Sequence, residues 1–148
     1  MIYFKIASFM SEDYRGLHQA PSSANGAPLH NLTLLYPDDV YSSKAVQFYG
    51  DRNVCDSESF RIVHAARNKP DFRVKIYRAI PKTIQANGKT VSLDDASINV
   101  GDWVTICERY AKQHCEYFED CRILAKVVAA KDLYTDGNSI HEWGYYPS

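Results

Sequence analysis

The chain has no long apolar run, no block of like charge and no C-x-x-C pair, and each absence removes a class of function. Its first ten residues, MIYFKIASFM, start apolar but carry Lys5, have no basic lead and run at once into the charged SEDYR. Such a stretch fits neither a signal peptide nor a membrane span, so a cytoplasmic protein without membrane contact is expected. Lysine and arginine number 17 against 18 aspartates and glutamates, a formal net charge of -1, and no Lys/Arg run stands out. The basic footprint of a nucleic-acid binder is missing, and nucleic acid is not an expected partner. Four cysteines occur, at Cys55, Cys107, Cys115 and Cys121. A domain of this size needs no disulfides to hold its core, so reduced thiols in a reducing compartment are expected. Three of them with His114 have the donor chemistry of a zinc site. Cys107 and Cys115 would nevertheless lie about two helical turns apart, too far to share one ion, so no metal is expected.

What is present is an ordinary globular composition. With 148 residues, 45% hydrophobic and 24% charged, the chain is long enough to bury one continuous core and reads as a single soluble domain over 1–148. Residues 11–39 are rich in turn formers, with APSSANGAP at 20–28 and YPDD at 36–39, and predict a long irregular segment. In a compact domain such a segment is either a functional lid or a packed wrapping strap. SSKAVQFYG predicts a short helix, with Ala45, Val46 and Tyr49 at helical spacing, Ser42 or Ser43 placed to cap it and Gly50 placed to stop it. SESFRIVHAARNKP predicts a second, with Phe60, Val63, His64 and Arg67 along one side and Pro70 beyond its end. His64 is expected to be partly buried.

FRVKIYRAIP is the clearest strand: Phe72, Val74 and Ile76 fall on one face and Arg73, Lys75 and Tyr77 on the other, until Arg78 interrupts the alternation. ANGK predicts a hairpin turn, and Val91, Leu93 and Ile98 lead into VGDWVT, a second short strand entered through Gly101. Thr105-Ile106-Cys107-Glu108 has capping-box spacing and predicts a helix starting at Thr105 and running through ICERYAKQHC. A strand about Ile123 to Val128, a TDGN turn and a final strand carrying Glu142 complete the chain. Strands mixed with short helices indicate an α+β fold, with an irregular and helical part over about 1–70 and the core over about 71–148.

Arg78 after IY, the aromatic and hydroxyl of GDWVT, and Glu142 in HEWGY stand out, each at a strand end or a strand-to-helix junction. Taken singly, each has a bland explanation: a salt-bridged arginine, a turn with a core aromatic, a surface glutamate. Together, in this order, they resemble the three signature motifs of the ADP-ribosyltransferase fold, the fold of diphtheria and cholera toxins and of the poly-ADP-ribose polymerases. The resemblance implies a split β-sheet core with short flanking helices. It sets Tyr77, Arg78 and Ala79 of IYRAI against NAD, with Arg78 on a ribose or a phosphate. Gly101 and Trp103 of GDWVTICERYAKQH match the second motif, where two aromatics sandwich nicotinamide. His114, or Tyr110 one turn earlier, takes the second aromatic position, and Thr105 is placed to orient the glutamate. Glu142 matches the catalytic glutamate. The run from GAPLHNLT and YPDDVYS through IYRAIP, GDWVT and DGNSIHEWGY is similar to the ADP-ribosyltransferase-type domain of large polyvalent proteins of phages and related mobile elements, over about residues 12–147.

The activity this implies is transfer of ADP-ribose from NAD to a protein, a host or anti-defence target if the phage resemblance holds, in the host cytoplasm. Breaking the nicotinamide–ribose bond builds oxocarbenium character on the sugar, which a carboxylate mounted among Ile140, Trp143 and Tyr145 would stabilise. NAD is the expected co-substrate. Many family members carry Glu or Gln two residues before the catalytic glutamate, which helps select the acceptor; here Ile140 stands there. The alternatives are an NAD glycohydrolase with water as acceptor and a non-catalytic binding or inhibitor protein on the same fold. An RNA-directed relative is a further one, against which the near-neutral charge counts. His141 is expected to face away from Glu142 across the strand and is not counted as catalytic. For His18 and His30, a substrate contact and a structural hydrogen bond are both open.

Overall fold

The computed structural model describes residues 19–148. Its elements run β1 (Ala27–Pro28), 3-10 turns at Leu32–Leu34 and Asp38–Tyr41, α1 (Ala45–Tyr49), α2 (Asp56–Ala66), β2 (Arg73–Pro81), β3 (Thr83–Ala86), β4 (Lys89–Ser92), β5 (Trp103–Val104), α3 (Glu108–His114), a 3-10 turn at Cys115–Tyr117, β6 (Cys121–Ala129), a 3-10 turn at Ala130–Asp132, β7 (Leu133–Thr135) and β8 (Trp143–Tyr145). This is an α+β chain of small antiparallel sheets and few helices.

Sheet pairing follows from local sequence. β2 pairs with β6 over nine positions, from Arg73 opposite Ala129 to Pro81 opposite Cys121. Asn87 and Gly88, both at positive φ (52° and 75°), make the tight turn that joins β3 to β4, as the two-residue hairpin requires. The third sheet runs β1-β7-β8-β5. Gly101 at φ 88° turns the chain into β5, and its N–H bonds the Tyr145 carbonyl at 2.8 Å. Between β2 and β5 stands one isolated bridge, in which Tyr77 and Thr105 exchange both backbone hydrogen bonds at 2.9 Å. The main core holds Leu29, Val63, Ile76, Val104, Leu133 and Trp143, and a second small cluster joins Cys55, Cys107 and Tyr110 of α3.

The helices bury defined stripes. α2 turns Asp56, Ser59, Phe60, Val63 and Ala66 inward, the three- and four-residue spacing of one helical face. His64 is half-buried beside it and bonds the Val40 carbonyl at 2.9 Å. α1 ends at Gly50, whose N–H bonds the Val46 carbonyl at 3.0 Å, while Ser42 Oγ accepts from the Lys44 N–H at 3.2 Å just ahead of the helix. Residues 19–39 hold two-residue β1 and short 3-10 turns, in keeping with the irregular segment expected there; residues 11–18 of that segment lie outside the described ones.

Three expectations are corrected. α3 starts at Glu108, not Thr105: Thr105 is held in the bridge to Tyr77, and its hydroxyl accepts from the Cys107 N–H at 3.3 Å, so no capping box forms. Arg78 does not interrupt the strand: it continues the inward set Val74, Ile76, Ile80 and is 1% exposed. Finally, Cys115 and Cys121 are a disulfide, because α3 ends beside the start of β6 and brings their Cα atoms to 5.3 Å; Cys55 and Cys107 are buried thiols. With Cys115 bonded to Cys121, the thiolate set weighed for zinc is not available, and no metal-binding group occurs among the described residues. No helix among them is long and apolar enough to cross a membrane.

Gly144 gives a direct test of this packing. A Cβ there would overlap the backbone carbonyl oxygen of Pro21, which crosses β8. Backbone cannot move aside as a side chain can, so Gly144→Ala should cost about 3 kcal/mol and lower Tm by about 6–12 °C in thermal melts. An unchanged Tm would mean that residues 20–22 do not lie on β8.

Candidate active site

Strand register brings three of the expected site segments side by side. Trp103 pairs with Gly144 and Val104 with Trp143, the residue after Glu142. The next residue, Thr105, is bridged to Tyr77. The segments that carry Tyr77, Thr105 and Glu142 are thus neighbours across β2, β5 and the entry to β8. Arg78, one residue along, points to the core face, and its Nη1 donates to the Trp103 carbonyl at 2.5 Å. The guanidinium thereby braces the strand that presents Trp103 and Thr105. Ala79 is buried beside it, Gly101 opens the turn into that strand, and Trp103 itself is half-buried.

Glu142 is 5% exposed and sits one residue before β8. Burial pushes its carboxyl above the ordinary glutamate value of 4.5, the Asp51 charge adds in the same direction, and a hydrogen bond from the Tyr110 hydroxyl works against both. Tyr110 is in turn pushed far up by burial and by the Glu142 charge, so its phenol keeps its proton and donates. Ile140, Trp143 and Tyr145, its near neighbours in sequence, are all buried. The Trp143 indole N–H bonds the Ile140 carbonyl at 2.9 Å, which holds the turn into β8.

His141 was expected to face away from Glu142, and here the structure corrects the sequence. The residue lies in a turn ahead of β8, where strand alternation does not apply, and its ring stacks on Tyr110 with centroids 4.9 Å apart and planes at 26°. Adjacent His141 and Glu142 therefore both contact Tyr110. His141 is 0% exposed. Its Nε2 lies 2.7 Å from Asp56 Oδ1 and its Nδ1 2.7 Å from Ser59 Oγ. A carboxylate only accepts, so Nε2 carries a proton, and a neutral ring leaves Nδ1 to accept the Ser59 hydroxyl. Asp56 also accepts the backbone N–H groups of Asp51 and Asn53, each at 3.2 Å. Gly50 lets it in: a Cβ there would stand 2.5 Å from Asp56 Oδ2.

Sequence reasoning missed Asp56 and Ser59. The legible signal was that both fall on the inward stripe of α2, where a helix of purely structural purpose would place apolar residues. What they reach, 82 and 85 residues further on, had no local trace. Among the other expected site residues, His114 is buried at the end of α3, its Nδ1 donating to the Tyr110 carbonyl at 2.9 Å and its ring 4.5 Å from that of Tyr110. His30 is half-buried, and its carbonyl accepts the Asn68 N–H at 2.9 Å; His18 lies outside the described residues. A surface cleft of about 510 Å³ runs between Ala96–Asn99 and Arg122–Lys126 and includes none of the candidate site residues.

The Glu142 environment sets a sign for stability. The folded chain binds a proton there more readily than the unfolded chain, so the carboxyl contributes stability below 4.5 and loses that contribution as pH rises through its raised folded value. Glu142→Gln removes the cost of ionisation. The variant should melt above wild type at about pH 8 and converge with it at about pH 4; equal melting at both values would remove burial as a strain on this carboxylate. Family models, curated proteins and solved structures gave no match to this chain, which leaves the residues and their geometry as the grounds for assigning a function.

Proposed function

We propose that this protein is an NAD-dependent mono-ADP-ribosyltransferase that moves ADP-ribose to a protein side chain, on an ADP-ribosyltransferase-like split sheet. One observation carries the reading: Glu142 is a buried carboxylate one residue ahead of β8, whose partner strand β5 carries the half-buried Trp103 and leads to Thr105, bridged to Tyr77. Burying an acid in this way has a cost, because desolvation opposes its charge. Such burial does serve a reaction that develops positive charge nearby, since a carboxylate in a dry site acts more strongly than in water.

In that reaction the nicotinamide–ribose bond breaks and its electron pair leaves with nicotinamide, which becomes neutral. The oxocarbenium character left on the ribose is stabilised by the Glu142 carboxylate, and an acceptor nucleophile bonds the same carbon and gives up its proton. Trp103 presents a flat aromatic face, and a cationic nicotinamide ring stacks on it more favourably than its area alone implies. Arg78 keeps that strand in place through the Trp103 carbonyl. With Ile140 two residues before Glu142, no second acid is offered there to choose the acceptor.

Labelled NAD tests the reading. Incubated with the protein and a cell lysate, it should release nicotinamide and leave label on a discrete protein band. Glu142→Gln should lower turnover by about three orders of magnitude while the protein stays folded. Unchanged turnover in that variant would refute the assignment, and release of free ADP-ribose without labelled protein would make the chain an NAD glycohydrolase. Trp103→Ala should raise KM for NAD about tenfold, the effect of losing one stacked aromatic. Because Trp103 is half-buried, its Tm should fall much less than that of Trp143→Ala, whose ring is fully buried.

A further inference from the structure

We infer that Tyr110 and His141, backed by Asp56, are positioning residues for Glu142: the histidine ring fixes the tyrosine ring, whose hydroxyl fixes the carboxylate. The inference rests on the reading of Glu142 as the reacting carboxylate. Every link in the chain is a contact. The Tyr110 hydroxyl bonds Glu142. Its ring lies against His141 at 4.9 Å, nearly parallel, and against His114 at 4.5 Å. His141 is held at both nitrogens from the first turn of α2, by Asp56 and Ser59 at 2.7 Å. Asp56 is held by two backbone N–H groups of the loop before that helix.

The turn that carries Glu142 is pinned from the same side. Ser139 Oγ donates to Asp51 Oδ2 at 2.5 Å and accepts the His141 N–H at 3.1 Å. The backbone on either side of Glu142 is thus fixed at His141 and in β8, and the Tyr110 hydroxyl bonds the carboxylate itself. A merely structural anchor in this place would be apolar, since a buried polar chain gains little stability over a packed hydrophobic one. It would also have no reason to end on an acid. A carboxylate that must face a ribose at one carbon gains from being held in one orientation.

Tyr110→Phe separates the two roles, because it removes only the hydroxyl and keeps the ring on His141. The expected result is a fall in kcat of about 10- to 100-fold with KM for NAD within about twofold. In the same variant, without NAD, the Glu142 carboxyl followed by carbon-13 NMR should titrate at higher pH than in wild type, since its charged form has lost a donor. His141→Phe, which keeps a ring beneath Tyr110 but breaks the bonds to Asp56 and Ser59, should reproduce the kcat loss in part. A purely structural role predicts lower melting temperatures, no difference in kcat per folded molecule and an unmoved Glu142 titration; that result would overturn the inference. If wild type turns over no NAD, the proposed function fails, while the Glu142 titration still decides whether Tyr110 holds the carboxylate.

Discussion

Two hydrogen bonds between Tyr77 and Thr105 carry the geometry of the site. Among the described residues they join the β2-β6 sheet to the sheet of β1, β7, β8 and β5. They bring the segment with Arg78 next to the strand that pairs with β8. Thr105 is bonded to β2 and follows directly on β5. The bridge also explains why the helix after it starts late. A residue cannot be both a ladder partner and a helix cap, and Thr105 is the former, so α3 waits until Glu108.

Around that bridge the structure accumulates buried polar groups. Arg78, Asp102, Thr105, His114, Ser139, His141 and Glu142 are all buried, and Asp56 and Ser59 join them from α2. Each costs desolvation, so each must bond within the protein, and the bonds decide how the segments meet. Asp102 Oδ2 takes the Asn99 N–H at 2.8 Å ahead of β5, Arg78 takes the Trp103 carbonyl, and His141 takes Asp56. Polar burial here does the work of orientation, which an apolar core, being non-directional, performs poorly.

Much of the frame was legible in the residues because its signals are local. The alternation from Phe72 to Tyr77 marked β2, Asn87-Gly88 marked the hairpin, Gly50 marked the end of α1, and Phe60 and Val63 marked the buried side of α2. The errors share a physical cause. Thr105 and Glu108 have the right spacing for a capping box, but a tertiary bridge claims the threonine first. Arg78 looked like an interruption because charge is rare on an inward face, yet its side chain is long enough to reach a carbonyl of the next strand. The disulfide escaped notice because six residues of sequence separation say nothing about Cα atoms brought to 5.3 Å by a helix end and a strand start. As to the candidate site, motif order is what singled out Trp103, Thr105 and Glu142. The support beneath them could not, since His141 meets Asp56 and Ser59 only after folding.

The place of Glu142, one residue outside its strand, follows from these constraints. Inside β8 its neighbours would alternate, and His141 would be turned to the opposite side, beyond reach of any residue that also touches the carboxylate. In the turn the backbone is free of that rule, so consecutive side chains can meet the same tyrosine. A turn alone would be loose. It is made rigid by bonds that run to α2 and to the loop ahead of it as well as to the adjoining strands: Ser139 to Asp51, His141 to Asp56 and Ser59, the Thr135 hydroxyl to the Ser139 carbonyl and the Trp143 indole to the Ile140 carbonyl. A strand would give stiffness with fixed alternation, and an unpinned loop would give freedom without stiffness. The pinned turn gives both, and this is why the buried acid of α2 and the buried acid of the C-terminal segment belong to one device.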